Sequence, residues 1–556
     1  MPITLLGSEL ISKIAAGEVI ERPASVVKEL AENSLDAGAS QISVETQDGG
    51  VNLIRVADNG AGIPASEIEL AFHRYATSKI NTLDDLGNIS SLGFRGEALP
   101  SIAAVAEVEL STRTPFENVG SYLCLRKGEV ALREKQARPQ GCTVTVRRLF
   151  HYLPARLKFL KSVNTENSHI ANVLSQYALA YPEVRFNLLL DRQTSLHTAG
   201  SGDLRDVLSQ IYGLGPAQEM LEVEGTDPVI RVSGLVSPPS LTRSNRNYLS
   251  FFVNRRWVRS PLLLRATENA YHGLLMEGKH PIAVLDISLP AEETDVNVHP
   301  SKAEIKFHHE QAVFASVEEA VKRALARIPI ATSRAMPFPS AERTQQSTWA
   351  IGDKEPVFAA PLPAPELPTL RVMGQIANTY IIAEGPDGLY LIDQHAAHER
   401  ILYEKIRTQW SRHEIEVQGL LQPVTIELSP RETQTFKANQ ENLAQFGFDV
   451  EHFGSRSYLL RAVPATIANT NVAEAMRLLL ESLADRESSS PWEEKIAKSL
   501  ACHSAIRAGQ QLSHEEITEL IRQLEQAQQP RSCPHGRPTM IHLSSHQLEK
   551  EFGRTG

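Results

Sequence analysis

The chain has 556 residues, 42% hydrophobic and 22% charged. At roughly 150 residues per domain this sets an expectation of three or four domains and excludes both a single small module and wholesale disorder. The net charge of −10 argues against a nucleic-acid protein only on average, because screening beyond ~8 Å leaves room for a local basic groove that binds phosphates.

Four cysteines, Cys124, Cys142, Cys502 and Cys533, are too few for a disulfide framework in a chain this long. No apolar run approaches the ~18 residues needed to cross a bilayer, and the first residues lack a basic stretch followed by a long apolar one. The expectation is a cytoplasmic protein with no membrane partner.

Residues 1–328 alternate apolar strands (QISVETQ, VNLIRVAD, GCTVTVRRLF, HPIAVLDISL) with amphipathic stretches, which reads as α+β. Arg22-Pro23 opens a helix, and ASVVKELAENSLDAGAS carries it to Gly38. At 100° per residue, Glu29, Asn33 and Asp36 fall within about 60° of one another, while Val27, Leu30, Ala31 and Ser34 face the other way. A base, an amide and a carboxylate on one face suit a water-orienting acid beside a Mg2+-binding oxygen, although alone they describe any solvated polar face. Asp58-Asn59-Gly60-Ala61-Gly62 follows a strand, so Asp58 is placed to accept from an adenine amino group while Gly60 and Gly62 let backbone approach the base. Gly93-Phe94-Arg95-Gly96-Glu97-Ala98-Leu99 is a glycine-bearing loop entering a helix, and Thr143 lies on the strand GCTVTV. Taken singly, these are an ordinary turn, a lid or hairpin loop, and β propensity.

In this order, ENSLDAGA, DNGAGI, GFRGEAL and GCTVTV resemble the four nucleotide motifs of the GHKL ATPases, the group of gyrase and the histidine kinases. IAAGEVIERPASVVKELAENSLDAGA, HRYATSKI and SLGFRGEALPSIA are similar to the MutL family of mismatch-repair ATPases, from Ile3 to about Lys161. The resemblance implies ATP and Mg2+ as cofactors. It makes Glu29 the general base, Asn33 the Mg2+ ligand with Asp36 beside it, and Asp58 and Thr143 the adenine readers. Gly93 to Leu99 become the phosphate-facing lid, with Thr77, Ser78 and Lys79 near it. No GKS or GKT supports a Walker loop. The family usually reads close to LFYNTPARRKFLKS where this chain has LFHYLPARLKFLKS, so Tyr152 and Leu157 are departures expected to alter surface or dimer contacts.

Asp295-Val296-Asn297-Val298-His299-Pro300-Ser301-Lys302 reads as a strand ending in a turn that projects a lysine. By the resemblance, Lys302 reaches the γ-phosphate from the second domain and stabilises phosphoryl transfer. Arg255, Arg256 and Arg259, with Arg147, Arg148, Arg156, Lys158 and Lys161, form basic clusters. Such clusters are usually solvated faces; the resemblance makes the first three candidates for sequence-independent DNA contact. From Pro329 to Pro368 the chain is rich in Pro, Ala, Ser and Thr without periodicity and reads as a linker.

Beyond it, strands (TYIIAEG, GLYLID, SYLLRAV) alternate with helices (AHERILYEKIRTQW, VAEAMRLLLESLAD, EEITELIRQLEQA). GLYLID ends at Asp393, and His395 and Glu399 share a helix face one turn apart, so an imidazole and a carboxylate can converge on a cation. Cys502 in ACHSAIRAG, and Cys533 and His535 in SCPHGRP, add thiols and an imidazole, although isolated cysteines are more often small buried hydrophobes. DQHAAHERILYE matches the DQHA-x2-E-x4-E motif of MutL proteins that nick DNA, and ACHSAIR, CPHGRP and Phe552-Gly553-Arg554 are similar to its companions. The resemblance implies Zn2+ or Mn2+, or both, held by Asp393, His395, Glu399, Cys502, Cys533 and His535, with Asp393 also catalytic. Glu404 and His503 stay open as further donors. Gln418-Gly419-Leu420-Leu421-Gln422-Pro423 resembles a sliding-clamp docking peptide through Gln418, Leu420, Leu421 and Pro423, and equally an ordinary strand and turn.

The resulting expectation is an α+β multidomain chain: a GHKL (Bergerat) ATPase α/β sandwich at 1–215, a ribosomal S5-like domain at 216–328, a linker at 329–368 and a C-terminal α/β dimerisation and endonuclease domain at 369–556. Its function is an ATP-gated homodimer coupling mismatch recognition by MutS to strand processing, nucleoid-associated, with DNA and the sliding clamp as partners. The alternative is a matchmaker ATPase without nuclease activity whose metal is structural.

Overall fold

The computed structural model describes residues 20–79, 91–93, 96–225, 227–275, 278–295, 305–327, 367–454, 456–484, 490–506 and 509–551. They divide into two compact units, one of Met1–Arg327, Gly419–Val463 and Met476–Ser489, the other of Ile328–Gln418, Pro464–Ala475 and Ser490–Gly556. The division does not follow chain order, since two stretches beyond residue 368 pack with the first unit. Lys302, Phe94, Arg95, Phe552 to Arg554 and nearly all of the expected linker lie outside the described residues.

The first unit opens with α1 (Pro23–Asp36), whose proline sits in the first turn, where its missing N–H costs nothing. Strands β1 (Gln41–Gln47), β2 (Leu53–Asp58), β3 (Glu107–Arg113), β4 (Gly120–Arg126), β5 (Glu129–Gln136), β6 (Gly141–Arg147), β7 (Arg185–Leu190) and β8 (Gln193–His197) form one sheet in the order β5-β4-β3-β6-β2-β1-β7-β8. Alternation selects their faces: Ile42, Val44 and Thr46 of β1 and Val108, Leu110 and Thr112 of β3 are buried between more exposed neighbours. Helices α2 (Ala98–Val105) and α3 (Val163–Ala180) complete this part, and α1 and α3 pack on each other. Phe150 and Phe186 lie wholly inside the core, each burial contributing about 1.5–3 kcal/mol.

A five-stranded sheet follows, built from β9 (Leu221–Glu224), β10 (Arg231–Val236), β11 (Leu249–Val253), β12 (Arg256–Val258) and β13 (Ala283–Ser288) in the order β12-β11-β13-β10-β9. Helices α4 (Pro261–Ala270) and α5 (Glu310–Ala326) pack together, and α5 lies against β9 and β10.

In the second unit, β14 (Arg371–Ile376), β15 (Tyr380–Gly385) and β16 (Gly388–Asp393) form a meander. Helix α6 (Gln394–Arg412) leaves β16 directly. The chain then makes an excursion through β17 (Val417–Glu427), α7 (Pro430–Gln445), β18 (Asp449–His452), β19 (Ser457–Pro464) and α8 (Val472–Ala484), most of which belongs to the first unit. It returns as α9 (Trp492–Ser504), α10 (His514–Glu525) and β20 (Met540–Ser544). Strand β20 pairs antiparallel with β16, Ile392 facing Met540, and α9 and α10 both pack on α6. Ile381, Ile392, Ala397, Ile517 and Leu524 close this core.

Candidate ATPase site and metal centre

Two places in the fold gather chemistry-bearing side chains. The first lies at the edge of α1. Val27, Leu30, Ala31 and Ser34 are buried, and Glu29, Asn33 and Asp36 stay half-exposed, so the helical period separates the packing face from the polar one as expected. Glu29 has Lys28 Nζ at 4.0 Å. Asn33 Oδ1 accepts from Lys79 Nζ at 3.0 Å, and the same ammonium lies 2.5 Å from Asp36 Oδ2. Asp36 also accepts the amides of Leu92 at 2.8 Å and Gly93 at 3.0 Å. Asp36 therefore clamps the base of the glycine loop to α1, a role its sequence spacing did not reveal.

Asp58 ends β2 beside β6, where Ala57 pairs with Thr143. Its Oδ1 accepts from Gly60 N at 2.9 Å and Cys142 N at 3.1 Å, and its Oδ2 from the Ser34 hydroxyl at 2.9 Å. Burial raises the Asp58 pKa, opposed by these hydrogen bonds. A carboxylate has about four lone-pair sites, so three donors leave capacity for one more, such as an exocyclic amine. Thr143 Oγ1 accepts from Arg138 Nη2 at 3.3 Å. Ser34 and Arg138 are the members that the sequence does not reveal: Ser34 lies on the packing face of α1, and Arg138 lies outside every motif. A side chain at Gly60 would meet Ala37 O at 2.8 Å. Gly96 has φ +61, a left-handed backbone that favours glycine, and its carbonyl accepts from Tyr75 N at 3.1 Å. Glu97 is the residue before α2, and Ala98 and Leu99 form its first turn, so the loop does run into a helix N-terminus. Thr77 Oγ1 accepts from Lys79 N at 3.2 Å, with Ser78 between them. The fit to Mg2+ rests on Asn33 Oδ1, an oxygen that already has a positive charge beside it.

The arginines expected at a DNA face divide. Arg255 forks onto Glu183 at 2.7 and 3.0 Å and stacks over Tyr181, and Arg259 is exposed with its guanidinium 5.8 Å from the Trp257 ring centre. Arg256 is only 8% exposed and donates to Ser91 O at 2.8 Å, which removes it from the candidate DNA face. The cause is strand alternation: Arg255 occupies a left-handed turn position, φ +65, and the next residue points inward. Arg147 and Arg148 pair with Glu109 and Glu107. Tyr152 and Leu157 lie at or near the surface, Tyr152 edge-on to His151.

The second gathering is at the start of α6. Because β20 lies beside β16, the segment leading into β20 comes back over the helix that leaves β16, and α9 brings its last turn there too. Glu399, Cys533 and His535 each offer a donor atom, all within 4.8 Å of one another. Glu399 is 7% exposed; its Oε1 is 3.4 Å from His395 Nε2 and its Oε2 3.6 Å from His535 Nδ1. Burial raises the Glu399 pKa, but hydrogen bonds from His395, His535 and Cys502 outweigh it and hold the carboxyl well below its usual range. Bonds to Cys533 and Glu399 push His535 up to about 9. The Cys533 thiol is raised by burial, yet hydrogen bonds to His535 and Arg537 bring it down on balance.

His395 Nδ1 donates to Ile506 O at 2.8 Å, and Ile506 N donates to His398 Nδ1 at 3.0 Å. The two imidazoles thus bracket the backbone of one residue, Ile506. With His395 Nδ1–H spent on the Ile506 carbonyl, Nε2 faces Glu399, and the hydrogen bond to this carboxylate favours the protonated ring and raises the His395 pKa. His398 is pushed down to about 4 by burial and by His395, a neutral structural histidine. Asp393 caps α6, its Oδ1 accepting from His395 N at 2.9 Å and Ala396 N at 3.0 Å. Glu404 turns away: its two oxygens accept from Gln528 N at 2.7 Å and Gln529 N at 3.0 Å. Together with Arg400, whose Nε donates to Ser532 O at 2.5 Å, Glu404 holds the segment that carries Cys533 and His535. His503 is half-buried in the last turn of α9. Thiol, imidazole and carboxylate at this spacing fit a borderline-soft divalent ion.

The fold and the first site define the class of protein: a GHKL-type ATPase. Residues 20–126 match the family model for the "Histidine kinase-, DNA gyrase B-, and HSP90-like ATPase". Residues 208–326 match "DNA mismatch repair protein, C-terminal domain" and 373–512 match "MutL C terminal dimerisation domain". The DNA mismatch repair protein MutL of Shouchella clausii is 35% identical, covering 99% of both chains. That of Methanothrix thermoacetophila is 39% identical over 99% of both. The solved N-terminal domain of a DNA repair protein is 28% identical with a TM-score of 0.50, covering 57% of this chain and 98% of its own. The chain belongs to the MutL family of DNA mismatch repair proteins. Among the described residues no helix is long and apolar enough to cross a membrane.

Proposed function

We propose that this chain is an ATP-gated homodimer that couples mismatch recognition by MutS to strand processing and itself nicks DNA at its C-terminal metal centre. The observation that carries the nicking step is the convergence of Glu399, Cys533 and His535 within 4.8 Å, with His395 beside them. Glu399 and His535, with Cys533, hold the ion; His395 and Cys502 flank Glu399; Asp393 stands at the helix start. A divalent ion bound there supplies a polarised water and positive charge for phosphodiester hydrolysis. In the ATPase domain Glu29 takes the proton of the attacking water, Asn33 carries Mg2+, Asp58 and Thr143 read adenine, and Lys302 meets the γ-phosphate. Arg255 and Arg259 contact the DNA backbone. Gln418, Leu420, Leu421 and Pro423 dock the replication sliding clamp; they lie on a sheet-edge strand with Leu421 fully exposed.

The test is Mn2+-dependent nicking of supercoiled plasmid by the purified protein. Asp393→Asn should abolish it. Asparagine also caps helices, so this variant removes charge and leaves the helix start intact. Nicking that survives the substitution rejects the nuclease, as does a metal-loaded protein that never nicks, which is the behaviour of structural zinc. For the ATPase, Glu29→Ala should retain nucleotide affinity while turnover falls at least a hundredfold; unchanged turnover removes Glu29 as the base.

A further inference from the structure

The excursion of residues 419–463 and 476–489 lies largely inside the stretch matching the C-terminal dimerisation model, yet it packs in one compact unit with residues 1–327. Helix α7 lies against α3. At the centre of this packing the Glu481 carboxylate, whose side chain is 1% exposed, has its Oε1 3.1 Å from Nε of Arg243, itself 5% exposed. Glu481 Oε2 accepts from Ser244 N at 3.1 Å and from the Ser244 hydroxyl at 2.8 Å. The Tyr248 hydroxyl donates to Glu432 Oε1 at 3.0 Å, and the Arg243 guanidinium sits 5.2 Å from the Tyr248 ring centre. Glu432 spends its other oxygen on Ser429 N in the capping box of α7, so the tyrosine is bonded to the group that starts the helix.

Hiding a carboxylate and a guanidinium together costs several kcal/mol of desolvation, and that cost is offset only where geometry is complementary and the remaining polar positions are matched. Here Ser244 satisfies Glu481 Oε2, while Oε1 faces the Arg243 guanidinium as an ion pair without a hydrogen bond. A buried pair of this kind adds little net stability, but it selects one register, because any displaced arrangement leaves a charge unpaired.

We propose that this excursion, residues 419–463 and 476–489, is a docking arm that seats on residues 1–327, with Arg243–Glu481 and Tyr248–Glu432 as its lock. Besides the passage at 327/328, the chain crosses between the two units at 418/419, 463/464, 475/476 and 489/490. The arm therefore ties the ATPase-bearing unit to the metal-bearing chain through four covalent connections that bypass the stretch 329–368.

The experiment uses the full-length protein with Gln193→Cys and Lys437→Cys, two positions whose side chains touch across this interface. Mild oxidation at low protein concentration should give an intrachain crosslink, seen as a faster-migrating band on a non-reducing gel. Glu481→Lys in that background should cut the crosslinking rate roughly tenfold by facing Arg243 with a like charge. Tyr248→Phe, which removes one hydroxyl and does not threaten the fold, should slow it roughly fivefold by orphaning Glu432 Oε1. Absence of the crosslink in the parent, a crosslink that joins two chains, or rates indifferent to both substitutions each overturn the proposal.

Discussion

Asp393 does two jobs with one carboxylate. Its Oδ1 caps α6, and in the proposed function its charge serves the metal centre. Loss of a side-chain cap costs about 1 kcal/mol, whereas Asp→Asn leaves the cap. Metal-free Asp393→Ala should therefore melt a few degrees below the parent, with Asp393→Asn near it, as read by circular dichroism, while both fail to nick. Similar logic separates Arg255 from Arg256. The first is a surface arginine in an exposed ion pair worth little; the second is an interior donor to the carbonyl of Ser91, next to the two residues that Asp36 clamps.

At the scale of elements, the metal centre depends on how the segment before β20 is tied to α6. Glu404 and Arg400 hold it at Gln528, Gln529 and Ser532. The Thr539 N–H then donates to Arg531 O, and Thr539 O accepts from Asp393 N. Removing a partner that orients a metal ligand typically costs 10- to 100-fold in metal affinity. Glu404→Ala should weaken Zn2+ binding by roughly tenfold, measured against a chromophoric chelator, and Glu404→Gln should recover part of it because its single amide oxygen can still accept one of the two backbone N–H groups. A Gln variant as weak as the Ala variant would instead make Glu404 a ligand.

For the whole molecule, the average charge of −10 hides local chemistry of opposite kinds, and the metal centre makes this testable through pH. His535 carries a proton up to about pH 9 because Cys533 and Glu399 stabilise the imidazolium, and a ligand set of neutral imidazole and thiolate must shed protons to take a metal. The proton competes with the metal, so affinity should climb as pH rises from 7 towards 9, by roughly tenfold per pH unit for each proton released. Calorimetry in buffers of different ionisation enthalpy reads the number released; an affinity flat across that range contradicts the ligand role of His535.

Periodicity and local chemistry were enough to read α1 with its split faces, Asp58 at a strand end, the loop entering α2, and His395 and Glu399 on one face of α6, because all of these are decided within one or two turns of chain. Which distant residues meet was not legible. Cys502, Cys533 and His535 reach Glu399 only because β20 pairs with β16 and α9 packs on α6, and no local rule specifies a pairing across more than a hundred residues. A run of arginines likewise does not say which one a strand turns inward, as it does Arg256. The compact units likewise depend on buried contacts such as Arg243 with Glu481. Local sequence determined the elements and their donor atoms; long-range packing decided which donors converge, which are spent on holding backbone, and which stretches of chain fold together.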